Sequence, residues 1–366
     1  MTSKERVHAA LRREPTDRVP IFMWFHPDTA ARLGKVLEIP PSMVGEAMGN
    51  DVRQTWVNNN YAMEGIVHAY EGEWHTDYWG IKWVKRGAFN QPEYHPLAYA
   101  SPEQVRQYTF PIDRKESLLA EMEPVVRGGE SAFIGCDVSP CAFEMYCRLR
   151  GMEQALVDLA ADEDLAWNLL RACADFAAML AQEACARFPL DWLWTGDDVA
   201  SHRGLMMSPQ TWRRLIKPHL ARVVAVGKKR GLWVAYHCCG AMREIIPDLI
   251  EIGVDVLNPI QCNCPGMEPG ALKREFGQAL SFMGGLDNLH TIPYGTAHEV
   301  YLSTRALIEQ MTIDGGGYIL AASHTIPPEA PDENVFALVA AAGVSREEIF
   351  DRAADIRARV EGEPTA

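Results

Sequence analysis

No stretch of this chain approaches the roughly 18–20 consecutive apolar residues needed to cross a bilayer, which excludes a membrane-spanning helix. Positive charge is scarce as well. With 35 Lys+Arg against 49 Asp+Glu the formal net charge is −14, and no basic stripe offsets it, so neither nucleic acid nor an anionic membrane surface is an expected partner. The opening Met1-Thr2-Ser3-Lys4-Glu5-Arg6 has no apolar core or cleavage site of a secretory signal. The 9 cysteines, an odd number without framework spacing, do not make a disulfide scaffold. They fit a reducing compartment, and a cytoplasmic location is expected. There is no internal repeat, low-complexity tract or linker, and no Gly-rich dinucleotide fingerprint follows any early strand. That argues against an open doubly wound sheet and for one domain over residues 1–366.

What the chain does have is a series of short apolar runs. Ile21–Trp24, Asp51–Trp56, Ala132–Val138, Trp192–Gly196, Leu232–His237, Val254–Ile260, Leu280–Gly285 and Tyr318–Ala322 are mostly continuous rather than alternating, as parallel strands buried on both faces should be. Helical patterns fill the gaps. Thr2 to Glu5 forms a capping box for a helix through Arg13. Glu153–Arg187 and Val300–Met311 have helical spacing, as does Gln210–Lys229 with Pro218 as a kink. A short helix around Met242–Ile250 stops at Gly253, and Ser345–Val360 opens with a second capping box at Ser345 and Glu348. Eight strands alternating with helices predict a (β/α)8 barrel. Residues 61–99, rich in Trp, Tyr and Gly, interrupt the alternation after the second strand. Trp74–Trp83 is expected to form a β-hairpin excursion there, serving as a cap.

The densest chemistry follows Leu232-Trp233-Val234-Ala235, in Tyr236-His237-Cys238-Cys239-Gly240. Residues two apart on a strand face the same way with Cα atoms roughly 6.5–7 Å apart, so His237 and Cys239 can converge on one zinc ion. Cys238 should point into packing, and Gly240 allows a sharp turn or a close approach. A chance Cys pair in a core is the plain alternative. In a barrel, the carboxyl ends of the strands carry the site. There the sequence offers Asp197 and Asp198 after the fourth strand, with His202 and Arg203 beyond. Asn258, Gln261, Cys262 and Cys264 follow the sixth strand, Asp287 the seventh and His324 the eighth. Carboxylates, imidazoles and thiols gathered at one mouth have the composition of a catalytic zinc site with three protein ligands and an open position. Asp197, Asp198 and Asp287 are the candidate catalytic groups. Arg203, Asn258 and Gln261 are the candidate substrate contacts. Asp198 could equally cap a following helix.

Asp17-Arg18-Val19-Pro20, Gly196-Asp197-Asp198, His237-Cys238-Cys239-Gly240, Gly284-Gly285-Leu286-Asp287 and Gly316-Gly317-Tyr318-Ile319-Leu320 together resemble the uroporphyrinogen decarboxylase superfamily, in the familiar order and over nearly the whole chain. The resemblance implies the same barrel. It is nearer to the zinc- and corrinoid-dependent methyltransferases than to the true decarboxylases. The decarboxylases carry an Arg-rich loop after the first strand, where this chain reads Met23-Trp24-Phe25-His26-Pro27-Asp28. They also carry a pyrrole-binding Asp after the second, where it reads Trp56-Val57-Asn58-Asn59-Asn60. The methyltransferases carry a His-x-Cys zinc pair, matched by His237 and Cys239, and a third ligand after the last strand, where His324 stands. Asp198 or Cys262 could complete the set instead, and Cys262 with Cys264 would make a closed structural site. The resemblance thus implies zinc as cofactor and a corrinoid as methyl donor or acceptor, exchanging with a small thiol or methoxy compound. The chain lacks the Asp-x-His-x-x-Gly pattern of a cobalamin module, so the corrinoid would come from solution or from a corrinoid protein. The alternative is metal-independent decarboxylation of a tetrapyrrole or other acid.

Overall fold

A computed structural model describes residues 1–58 and 68–362. Among the described residues there are twelve strands: β1 Val52–Trp56, β2 Trp74–Thr76, β3 Lys82–Arg86, β4 Phe89–Tyr94, β5 Phe133–Asp137, β6 Trp192–Gly196, β7 Ala200–Ser201, β8 Gly204–Leu205, β9 Trp233–His237, β10 Val256–Ile260, β11 Ser281–Gly284 and β12 Tyr318–Ile319. Seven of them form one sheet in the order β1-β5-β6-β9-β10-β11-β12. The pairs β5–β6, β6–β9 and β11–β12 are parallel. β5, β6, β10 and β11 are buried along their whole length, which is why they read as unbroken apolar runs.

The first apolar run closes the ring. Ile21 and Phe25 bridge Leu320 and Ile326 in parallel, and on the other side the Asp51 N–H donates to the Ile21 carbonyl at 2.8 Å. The fold is therefore a (β/α)8 barrel, as the sequence predicts. The run is no continuous strand, however. The Asn50 amide takes both polar groups of Met23, accepting its N–H at 2.9 Å and donating to its carbonyl at 2.9 Å. A side chain thus stands where ladder bonds would otherwise form.

By compactness the chain divides into two units. One comprises Met1–Arg53, Glu130–Phe133 and Leu257–Ala366, and the other Gln54–Gly129 and Ile134–Val256. In the first unit the opening helix, Ser3–Leu11, has the expected Thr2/Glu5 capping box. It stops before Arg13, whose φ of 60° is left-handed. The Ser345/Glu348 box opens the helix Arg346–Gly362.

In the second unit two expected helices are each divided. Asp162 caps a new helix, Glu163–Arg187, after Met152–Ala161. Pro209–Leu215 ends before Ile216, and Pro218 lies in the first turn of Lys217–Lys229 rather than at an internal kink. Proline suits a first turn because its missing N–H would have no partner there. The excursion is a three-stranded antiparallel sheet, β2-β3-β4, one strand more than a hairpin. Residues 61–67 of the expected excursion, and Asn59 and Asn60 before it, lie outside the described residues. The β2–β3 turn is tied by the buried Asp77 carboxylate, which accepts the N–H groups of Trp79, Ile81 and the Trp83 indole at 2.8–2.9 Å.

Candidate metal centre

Within the second unit, β6 and β9 run in register, with Gly196 opposite His237. A Cβ on Gly196 would lie 2.8 Å from both the Cβ and the carbonyl oxygen of His237, so only glycine lets the two strand ends approach this closely. His237 Nε2 is 3.6 Å from Cys239 Sγ. Both residues are partly exposed, whereas Cys238 is wholly buried and burial pushes its thiol pKa far up. The strand alternation that separates Cys238 from its neighbours is thus the one the spacing predicts. Gly240 has φ of 93°. A Cβ there would sit 2.6 Å from the Ser201 carbonyl oxygen, and the Ala241 N–H donates to that same oxygen at 2.9 Å. The close approach that this glycine permits is to the β7–β8 hairpin.

The two carboxylates after β6 differ sharply. Asp197 is completely buried and accepts the backbone N–H groups of Ala142 and Glu144 at 2.9–3.1 Å. It thereby caps the helix Phe143–Arg150. Desolvation raises its pKa to about 7, against the lowering effect of those backbone donors. Asp198 is partly exposed. Its Oδ1 accepts the Cys239 N–H at 2.8 Å and lies 3.9 Å from His237 Nε2. Asp198 therefore fixes the backbone of one sulfur donor and flanks the imidazole, rather than capping a helix. Arg203 is exposed on the β7–β8 hairpin, its N–H on Ser201 Oγ at 3.2 Å.

In the first unit Asn258 is wholly buried in β10 and Gln261 is partly exposed just beyond it. Asp287 accepts the Asn263 amide at 2.8 Å and the N–H groups of Leu289 and His290 at 2.9 and 3.1 Å. Burial alone would raise its pKa, but these donors outweigh burial and hold it below the usual carboxylate value. Cys262 Sγ is 3.6 Å from Ser323 Oγ, and burial raises its thiol pKa. His324 is partly exposed in the segment after β12.

Among the described residues, the one group of three or more His, Cys, Asp and Glu side chains that could hold an ion is His237, Cys239 and His324. Their ligand atoms lie within 4.8 Å of one another. Cys262, Cys264 and Asp198 are not members of it. Zinc bond lengths of about 2.0–2.3 Å imply ligand–ligand edges of roughly 3.3–3.8 Å in a tetrahedron. The His237–Cys239 pair meets that, and the loosest pair needs to close by about 1 Å. The set is a loose His/Cys/His cluster that could hold a metal ion.

Two residues near these strand ends escaped the sequence reading. Asp137 ends β5 and accepts the N–H and hydroxyl of Ser139 at 2.8 and 2.6 Å. Its place after Phe133-Ile134-Gly135-Cys136 could have flagged it. Arg148 is buried with its guanidinium carbon 5.7 Å from the Trp56 ring and 5.6 Å from the Trp83 ring, and it donates to Glu144 at 2.5 Å. Nothing in the sequence signals that packing.

No described helix is long and apolar enough to cross a membrane. A search of curated proteins finds no match. Among solved structures, a methyltransferase from Methanosarcina mazei superposes with a TM-score of 0.67 at 18% identity, covering 94% of this chain and 98% of that one. An endo-beta-1,4-xylanase from Gloeophyllum trabeum gives 0.41 at 9% identity, over 67% and 84% of the two chains. D-psicose 3-epimerase from Clostridium cellulolyticum H10 gives 0.38 at 11%, over 92% and 96%. At these identities the likeness is one of fold, and the last two scores carry nothing further. The family model for uroporphyrinogen decarboxylase (URO-D) matches residues 84–343, well over half of the chain, and the protein belongs to that family.

Proposed function

We propose that this chain is a single-domain, zinc-dependent methyltransferase that moves a methyl group between a corrinoid and a small thiol or methoxy compound. The observation that carries the proposal is the His237, Cys239 and His324 group, with ligand atoms within 4.8 Å of one another. Three protein ligands leave a fourth position for substrate. When bound, zinc supplies Lewis acidity, which favours the thiolate form of a thiol or a better leaving oxygen on a methyl ether.

The chain's own residues set the geometry. Asp198 pins the Cys239 backbone, and Gly196 lets the His237 backbone come close to β6. Asp197 holds the helix Phe143–Arg150 by its amino end. Asp287 serves as a fixed anion after β11. Arg203, Asn258 and Gln261 are proposed substrate contacts. The superposition on the Methanosarcina mazei methyltransferase agrees with the methyltransferase branch. The corrinoid is exchanged with solution or with a corrinoid protein.

A second reading is metal-independent decarboxylation of a tetrapyrrole or other acid, with Asp197, Asp198 and His324 binding and protonating. The family match speaks for it more directly than for methyl transfer. Against it stands the loop Met23-Trp24-Phe25-His26-Pro27-Asp28, which has no arginine to receive a polycarboxylate. Metal content after zinc-supplemented expression separates the two readings. About one zinc per chain, with zinc-dependent demethylation of methylcobalamin by a thiol or methylation of Co(I) cobalamin by a methoxy compound, supports the first. Turnover of uroporphyrinogen by zinc-free protein would replace it with the second.

A further inference from the structure

Beside the residues that lead into the first apolar run, β1 and β5 lies a cavity of about 500 Å³. Its lining includes Arg6, Arg18, Arg53 and Arg352 against Asp17, Glu46 and Glu348. In a chain of net charge −14 this concentration of guanidinium groups is local and built. Asp51, completely buried beneath it, is used up by two of them. It accepts Arg6 Nη1 at 2.6 Å and Arg18 Nη1 and Nη2 at 2.8 and 3.1 Å, along with the Ile21 N–H and the Ser3 hydroxyl. Arg53 and Arg359 share Glu46.

Arg352 is left over. Its side chain is two-thirds covered. Its nearest acceptors are the Ala47 carbonyl at 3.5 Å and Glu348 at 3.9 Å, both outside the 2.7–3.2 Å of a good N–H···O bond. Gly49 makes room for it, since a Cβ there would stand 2.9 Å from Arg352 Nη1. Arg6 and Arg18 beside it have their donors spent on Asp17 and Asp51, whereas the contacts of Arg352 are long, so its fork is the one available to a further anion.

We propose that Arg352, with Arg18 and Arg6 behind it, forms a phosphate-type oxyanion site beside the starts of the first apolar run, β1 and β5, separate from the candidate metal centre. The planar fork of arginine matches two oxygens of a tetrahedral oxyanion, and the volume admits either a free phosphate or the phosphate of a small phosphomonoester. Burial first, then Arg18 and Arg6, lower the pKa of Arg352, and Glu348 and Asp51 offset them only in part.

The test is calorimetric titration of the whole chain with inorganic phosphate and, separately, with adenosine monophosphate, at constant ionic strength and against chloride. Saturable binding of either anion is expected. The tighter of the two identifies the source. Arg352→Gln should weaken it about tenfold or more, and Arg352→Lys should weaken it less, by keeping the charge without the fork. The Arg352→Gln fold is checked by circular dichroism, and the Lys variant carries the test should the Gln variant not fold. No saturable binding of either anion, or equal affinity in the parent and the variants, overturns the proposal.

Discussion

His219 offers a measurement in which structure dictates sign and size together. It lies in the helix Lys217–Lys229, is 1% exposed, and has its ring 4.3 Å from that of Trp167. Neither ring nitrogen has a hydrogen-bond partner. Burial first, and the nearby Arg171 second, hold its pKa down to about 4, against an ordinary value of about 6.5. The folded state therefore keeps the imidazole neutral while the unfolded chain protonates it. This contribution to stability is fully present above pH 6.5 and is lost as the pH falls toward 4. At pH 5 the unequal protonation amounts to about 2 kcal/mol, rising to about 3 kcal/mol below both values. His219→Leu removes the titrating group at nearly constant volume. It also removes two buried nitrogens without partners, so at pH 7.5 the variant should be no less stable than the parent. Urea denaturation of both proteins at pH 7.5 and 5.0 isolates this residue, because every other titration is common to the pair. The parent should lose about 2 kcal/mol more than the variant across that interval. Parallel pH dependences would refute the reasoning and mean that His219 finds a partner in solution.

Cys239→Ser should lower zinc affinity by more than the roughly 10–100-fold that loss of a supporting partner costs, with unchanged circular dichroism. Cys238→Ser should keep its zinc by metal analysis, since that thiol is buried. His324→Ala should weaken zinc binding and His324→Cys restore part of it. Unchanged occupancy and His237 coordination by X-ray absorption in His324→Ala would remove His324 from the ligand set. Asp198→Asn should cost about 10–100-fold in zinc affinity in a chelator competition, because Oδ1 no longer anchors the Cys239 N–H as an anion. Gly240→Ala should lower stability by about 2 kcal/mol or more in a denaturant titration, through its φ of 93° and the clash with the Ser201 carbonyl.

The barrel was legible because its strands are buried on both faces. Phe133–Asp137 and Trp192–Gly196 show no exposed position, and such strands announce themselves as continuous apolar runs. Where that condition fails, the sequence signal fails too. β4, Phe-Asn-Gln-Pro-Glu-Tyr, is mostly exposed and polar with a proline inside. It is a strand only because β3 offers it an edge, and proline is tolerated on such an edge. The break at Ile216 turns on Pro218 occupying a first turn, a choice that spacing alone does not make.

The same division runs through the candidate site. The pair His237 and Cys239 is local, and a two-residue spacing on a strand suffices to bring imidazole and thiol to 3.6 Å. What holds the pair is not local. The Asp198 carboxylate reaches across 41 residues of sequence to the Cys239 N–H, and Gly196 matters only because register sets it against His237. Asp197 follows β6 yet spends its carboxylate on a helix that starts 54 residues earlier, at Phe143. Adjacent acids in one dipeptide thus have opposite environments, one desolvated beneath a helix end and one partly exposed beside the imidazole. Spacing along the chain can nominate metal ligands, because ligands need only a shared direction. It cannot say which carboxylate supports them, because support depends on which distant backbone N–H groups arrive without partners.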